Sequence, residues 1–159
     1  MKEIERKYLV SDGEFIHQAT KSESMVQAYL SKDPERTVRI RIQGEKACIT
    51  IKGKSEDGGL SRFEWEKEIP ILEAKALLKL ALPYPIIKTR HWVPYEGQLF
   101  EVDVFEGQHK GLILAELELD NVNQEVVLPA WCGVEVTGKK EYYNAYLSEV
   151  DSSNVAKNS

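Results

Sequence analysis

The stretch Glu3-Ile4-Glu5-Arg6-Lys7-Tyr8-Leu9-Val10 decides how the rest of the chain is read. Successive side chains of a strand point to opposite faces, so a spacing of two puts Glu3, Glu5 and Lys7 on one surface. Neighbouring like charges repel, and half-buried strands favour β-branched and aromatic residues over Glu and Lys. Such a row calls for a ligand, and a divalent cation would turn its carboxylates into a donor set.

Working outward, the same rule recurs on six later segments, seven in all with the first. Arg39 and Arg41 alternate with Val38, Ile40 and Ile42, and Thr50 and Lys52 alternate with Ile49 and Ile51. Glu64, Glu66 and Glu68 alternate with Phe63 and Trp65, Glu101 and Asp103 with Phe100, Val102 and Val104, and Glu116 and Glu118 with Ala115, Leu117 and Leu119. Lys88 and Arg90 share a face as well. The pattern predicts strands over 2–10, 24–31, 37–43, 46–52, 60–69, 86–93, 98–105 and 112–119. Gly44-Glu45 and Asp57-Gly58-Gly59 supply tight turns, so neighbouring strands are expected to run antiparallel. Helix formers predict a helix over 72–81 ended by Pro83, a C-terminal helix over 140–150 and a short one within 12–20.

A sheet whose charged side faces water is one reading of this pattern. The other is a closed or nearly closed barrel with the charges inside. Solvent faces mix Thr, Ser, Gln and Lys, whereas here paired charges repeat at a spacing of two, several strands carrying one sign only. The barrel reading is preferred on that ground. Its apolar outer side then needs cover, which the helices near 72–81 and 140–150 can provide.

The 159 residues suit a single domain over 1–150, with the polar run 151–159 as a tail. A net charge of −5 gives no sign of a nucleic-acid partner. Cys48 and Cys132 are isolated, and the N-terminus enters a strand without an apolar leader, so the expectation is a reduced, cytoplasmic protein with no membrane span. Cys48 is read as a bystander. Whether the chain forms a homodimer is left open.

Opposed charge rows inside a barrel can exist only as a solvated binding cavity. Its cations are Lys7, Arg39, Arg41, Lys52, Lys88 and Arg90, with Arg62 as an addition. Arginine forks match phosphate oxygens and lysine adds point charges. The carboxylates cannot touch phosphate directly, but they can hold Mg²⁺ or Mn²⁺, which bridge to phosphate oxygens. The combined chemistry is a metal–polyphosphate site. His17, His91 and His109 lack paired metal spacing, and no glycine-rich nucleotide loop is present.

The ordered series Glu3-Ile4-Glu5-Arg6-Lys7, Arg39-Ile40-Arg41, Lys52, Glu64-Trp65-Glu66, Lys88-Thr89-Arg90, Asp103 and Glu116-Leu117-Glu118 resembles the CYTH, or triphosphate tunnel metalloenzyme, superfamily. It is most similar to the small bacterial inorganic triphosphatases. That resemblance implies an α+β, mainly β fold: an eight-stranded antiparallel closed barrel with flanking helices, binding a small-molecule triphosphate with Mg²⁺ or Mn²⁺. By the same likeness Arg39, Arg41, Lys52, Lys88 and Arg90 would cradle phosphates. Asp103, Glu116 and Glu118 would hold the tighter metal, and Glu3 and Glu5 a second metal or the attacking water. Lys7 beside Tyr29 resembles a water-activating dyad. Glu64, Glu66, Arg62 and Lys140 are additional candidates, Lys140 lying where the family has a plug helix. Hydrolysis of tripolyphosphate to pyrophosphate and phosphate leads. Adenylate cyclisation, a nucleoside or thiamine triphosphatase, and a non-catalytic polyphosphate-binding module are the alternatives.

Overall fold

Alternation of charged and apolar residues survives folding as an inside and an outside. A computed structural model describes residues 1–81 and 85–148. Its strands are β1 (Lys2–Val10), β2 (Lys21–Ser31), β3 (Arg36–Gln43), β4 (Lys46–Glu56), β5 (Ser61–Ile69), β6 (Ile86–Tyr95), β7 (Gln98–Phe105), β8 (Ile113–Glu118) and β9 (Cys132–Glu135). Two helices join them, α1 (Ile71–Leu78) and α2 (Asn144–Leu147).

Eight strands close on themselves in the order β1-β5-β4-β3-β2-β6-β7-β8 and back to β1, each pairing antiparallel. Closure runs through β1, whose Glu3 faces Arg62 of β5 and whose Lys7 faces Glu116 of β8. A closed sheet leaves no free edge, so every ladder can be hydrogen-bonded. The ninth strand, which sequence reading missed, adds to the far end of β1 by pairing Tyr8 with Glu135 and Val10 with Cys132.

Turn chemistry follows the residues. Gly44, at φ 56°, turns β3 into β4 where Gln43 faces Lys46. Glu96 and Gly97, both at positive φ, turn β6 into β7 where Tyr95 faces Gln98, a backbone that matches the twist of a two-residue hairpin. Strand β6 consequently runs two residues past the expected end at Val93.

The cover outside the barrel is only partly the expected one. Helix α1 does lie on β3 and β4, where Ala74 packs with Ile40 and Ala47. It ends at Leu78, short of Ala81, and Pro83 lies outside the described residues. A different cluster covers β1, β7 and β8: Phe15, from a 3-10 turn over Glu14–Gln18, and Trp131 pack against Tyr8, Phe100, Val102 and Leu117. The expected C-terminal helix over 140–150 forms as a 3-10 turn, Lys140–Tyr142, followed by the four-residue α2; residues 149 and 150 lie outside the described part. This segment covers no outer face. It seals one end of the barrel, where Tyr142 and Leu147 pack on Ile86, Phe105, Leu112 and Leu114. Along β6, β7 and β8 the row that carries charge therefore turns apolar at that end, and the interior gains a floor.

Candidate active site

Above the floor is a cavity of about 530 Å³ lined by Glu3, Glu5, Lys7, Tyr29, Arg39, Arg41, Lys52, Arg62, Glu64, Glu66, Arg90, Glu101, Glu116, Glu118 and Lys140. Nearly every charge singled out from the sequence reaches it. Of the candidate site residues, two do not line it: Lys88 and Asp103 are completely buried in the wall behind.

Cross-strand register explains that difference. Arg90 faces Asp103 directly across the β6–β7 pair, and its guanidinium grips the carboxylate with Nε to Oδ1 at 2.7 Å and Nη2 to Oδ2 at 2.9 Å. Lys88 Nζ donates to the same Oδ2 at 2.6 Å. Both oxygens of Asp103 are thus occupied by cations, and its exposure is nil. Burial would raise its pKa, but Arg90 and Lys88 outweigh that and hold it below the usual range. Asp103 was expected to be a metal ligand and Lys88 a phosphate cation; in this geometry the two are paired with each other, and Asp103 also holds the cavity-lining Arg90.

The remaining cations fall into two kinds. Lys52 is committed to carboxylates, with Nζ 2.7 Å from Glu3 and 3.3 Å from Glu64. Arg90 additionally meets Glu101 at 3.3 Å and Glu116 at 3.8 Å. Arg39 reaches Thr50 at 3.0 Å and Glu66 at 3.5 Å, while its buried Nε has no partner. Arg41 makes one hydrogen bond, from Nε to the neutral Gln27 Oε1 at 3.0 Å, and no ion pair among the described residues. Burial, with Arg39 and Arg90 close by, pushes its pKa down to about 10. A buried cation so placed needs an anion.

The carboxylates crowd on the other side. Glu5 and Glu116 are hydrogen-bonded to each other, and burial, then Glu116 and Glu3, push Glu5 well above the usual carboxylate range. Against burial, Lys7 and Arg90 hold Glu116 well below it. Burial and the hydrogen bond it donates to Glu3 push Glu64 up to about 7. Carboxylates forced to share protons are the donor chemistry a hard divalent ion replaces. Among the described residues no three acidic, Cys or His groups converge as a complete ligand cage. A pair suffices for Mg²⁺, which keeps several waters and is held by one or two carboxylates with substrate phosphates. Glu5 and Glu116 therefore fit such an ion.

Lys7 and Tyr29 both line the cavity, but among the described residues no hydrogen bond joins them. The Lys7 ammonium donates to the Tyr142 carbonyl at 3.2 Å and lies 5.7 Å from the Tyr143 ring centre. The Tyr143 ring also takes the Arg62 guanidinium at 5.9 Å, and its hydroxyl meets Ser55 at 3.3 Å. Sequence reading missed Tyr143, because the residues bringing it here are more than eighty positions away from Ser55 and Arg62. Two glycines let the segment approach: a Cβ on Gly138, at φ 78°, would sit 2.2 Å from the Gly58 carbonyl, and one on Gly59 would sit 2.3 Å from the Gly138 Cα.

Fold and cavity together define a class, the antiparallel eight-stranded tunnel walled by opposed charge rows. Residues 1–152 match the CYTH domain, and the chain belongs to that family. It is 40% identical over 147 residues to an inorganic triphosphatase of Acetivibrio thermocellus, covering 92% of each chain. An inorganic triphosphatase of Nitrosomonas europaea is 37% identical over 156 residues, covering 93% of this chain and 97% of that one. A crystal structure described as an inorganic triphosphatase superposes with a TM-score of 0.64 at 33% identity, over 92% of this chain and 93% of that chain. Membership of the family implies a divalent metal.

Proposed function

We propose that this chain hydrolyses inorganic tripolyphosphate to pyrophosphate and phosphate with Mg²⁺ or Mn²⁺. The observation that carries the reading is the enclosed pair Arg39 and Arg41 in a cavity of about 530 Å³: the buried Arg39 Nε has no protein partner, and Arg41 is held by the neutral Gln27 alone among the described residues. The similarity to inorganic triphosphatases over more than nine-tenths of the chain supports the same substrate.

Arg39 and Arg41 hold the phosphate chain by charge-assisted hydrogen bonds, and Arg90 joins them at the edge nearest Glu116. Glu5 and Glu116 would hold the metal, with Glu3 and Glu118 flanking them on their own strands. The bound ion would neutralise phosphate charge and polarise the terminal phosphorus. Water adds to that phosphorus, the bridging P–O bond breaks, and pyrophosphate departs with the electron pair. The proton released by water passes to a base in the cavity, a role we assign to Tyr29 with Lys7. Catalysis then rests mainly on alignment and charge stabilisation, as phosphoryl transfer requires.

The test is product analysis after incubation with tripolyphosphate, ATP or thiamine triphosphate under Mg²⁺, Mn²⁺ or chelator. Pyrophosphate and phosphate from tripolyphosphate, abolished by chelator, are expected. Cyclic AMP from ATP, or tight tripolyphosphate binding without phosphate release under either metal, would contradict the proposal.

A further inference from the structure

Gln27 is fully buried on β2, two residues before Tyr29 and directly across the ladder from Arg41. Its Oε1 accepts from Arg41 Nε at 3.0 Å, while its Nε2 is buried without a partner. The reverse amide orientation would set two N–H groups against each other, so the oxygen must face Arg41. Leaving a buried amide donor unsatisfied costs folding stability. A carboxylate of the same shape would carry no unsatisfied donor and would neutralise a buried guanidinium.

We infer that Gln27 is a positioning residue for substrate affinity: a neutral acceptor that fixes the Arg41 guanidinium through Nε while leaving its whole charge, and its terminal nitrogens, for phosphate. The neighbouring cations make the point by contrast. Arg90 is shared among Asp103, Glu101 and Glu116, Lys52 between Glu3 and Glu64, and Arg39 leans on Glu66. Only at Arg41, among these, does the wall supply orientation without charge. The cost in folding stability is what keeps the cation available, because an internal carboxylate would compete with the incoming phosphate for the same fork.

This inference rests on the tunnel being a phosphate site, and the experiment separates the two. Metal-free tripolyphosphate is titrated calorimetrically into Gln27→Glu, Gln27→Met and Arg41→Ala, and each unliganded variant is melted. Gln27→Glu retains the hydrogen bond to Arg41 yet is expected to weaken tripolyphosphate binding at least tenfold, more than Gln27→Met does, while its melting temperature equals or exceeds that of the wild type. A purely structural role predicts the opposite order, with Met the more damaging. Glu binding as tightly as Met or tighter, or a Gln27→Glu chain that fails to fold, would overturn the inference while Arg41→Ala still weakens binding. Unchanged affinity in Arg41→Ala would instead overturn the phosphate reading beneath it.

Discussion

Arg41 and Asp103 occupy the same parity, were drawn from the same alternation, and end in opposite circumstances. Arg41 is a buried cation with a neutral partner; Asp103 is a buried anion clasped by two cations. Removing each should therefore do opposite things. Arg41→Ala is expected to raise the KM for tripolyphosphate by roughly 10- to 100-fold, the worth of one or two charged hydrogen bonds, without lowering the melting temperature. Asp103→Ala strands Lys88 and Arg90 beside each other, which costs about 3–5 kcal/mol, or on the order of 10 °C for a domain of this size. A thermal melt with steady-state kinetics on the two variants checks both, and an Asp103→Ala protein of undiminished stability would return Asp103 to the ligand role. Alternation disclosed which charges enter the barrel. It could not disclose which of them already have partners, because that depends on the register of β6 against β7, which a single strand does not contain.

Elements extend the contrast between local and distant information. Eight strands were legible because each carries its own period-two pattern and turn residues. Strand β9 was not: Cys132-Gly133-Val134-Glu135 is too short to show a period, and its partner β1 lies more than 120 residues away. What holds it is partly the Arg6–Glu135 pair, with Nη2 and Oε1 2.6 Å apart, and Thr137, which donates to the same carboxylate. Arg6, through its hydrogen bond, keeps Glu135 below the usual carboxylate range. The stability so gained is present above the unfolded value of about 4.3 and is lost as pH falls through the folded one. With about a third of both side chains exposed, the pair is worth less than about 1 kcal/mol. Glu135→Gln should therefore melt slightly below the wild type at pH 7, and the gap should close as pH falls below the ordinary carboxylate range; a constant gap down to acid pH would deny the ion pair its part. Beyond β9, Gly138→Ala meets both a positive φ and the Gly58 carbonyl. It should displace the segment carrying Tyr142 and Tyr143, lowering kcat at least several-fold through Lys7 and Arg62 while costing about 1–3 kcal/mol in a denaturant melt. Unaltered kcat in a destabilised protein would confine that contact to folding.

At the scale of the molecule, one closed sheet does two jobs that open sheets divide. Its outside is an ordinary apolar surface, covered by α1 on one flank and by Phe15 and Trp131 on the other. Its inside is a charged cavity with an apolar floor, sealed by the chain's last described residues. The charge rows announced the tunnel in the sequence; the floor stayed hidden because Ile86, Phe105 and Leu114 look like core residues of any strand. The proposed chemistry divides the cavity in space: cations on one wall would take the phosphates, and a pair of carboxylates facing them would take the metal. A crystal structure with Mn²⁺ and a non-hydrolysable triphosphate analogue tests it most directly. The expected result is anomalous density between Glu5 and Glu116, with phosphate oxygens within hydrogen-bonding distance of Arg39 and Arg41. Metal density on the opposite wall, or an analogue bound outside the barrel with Arg41 still held only by Gln27, would contradict it.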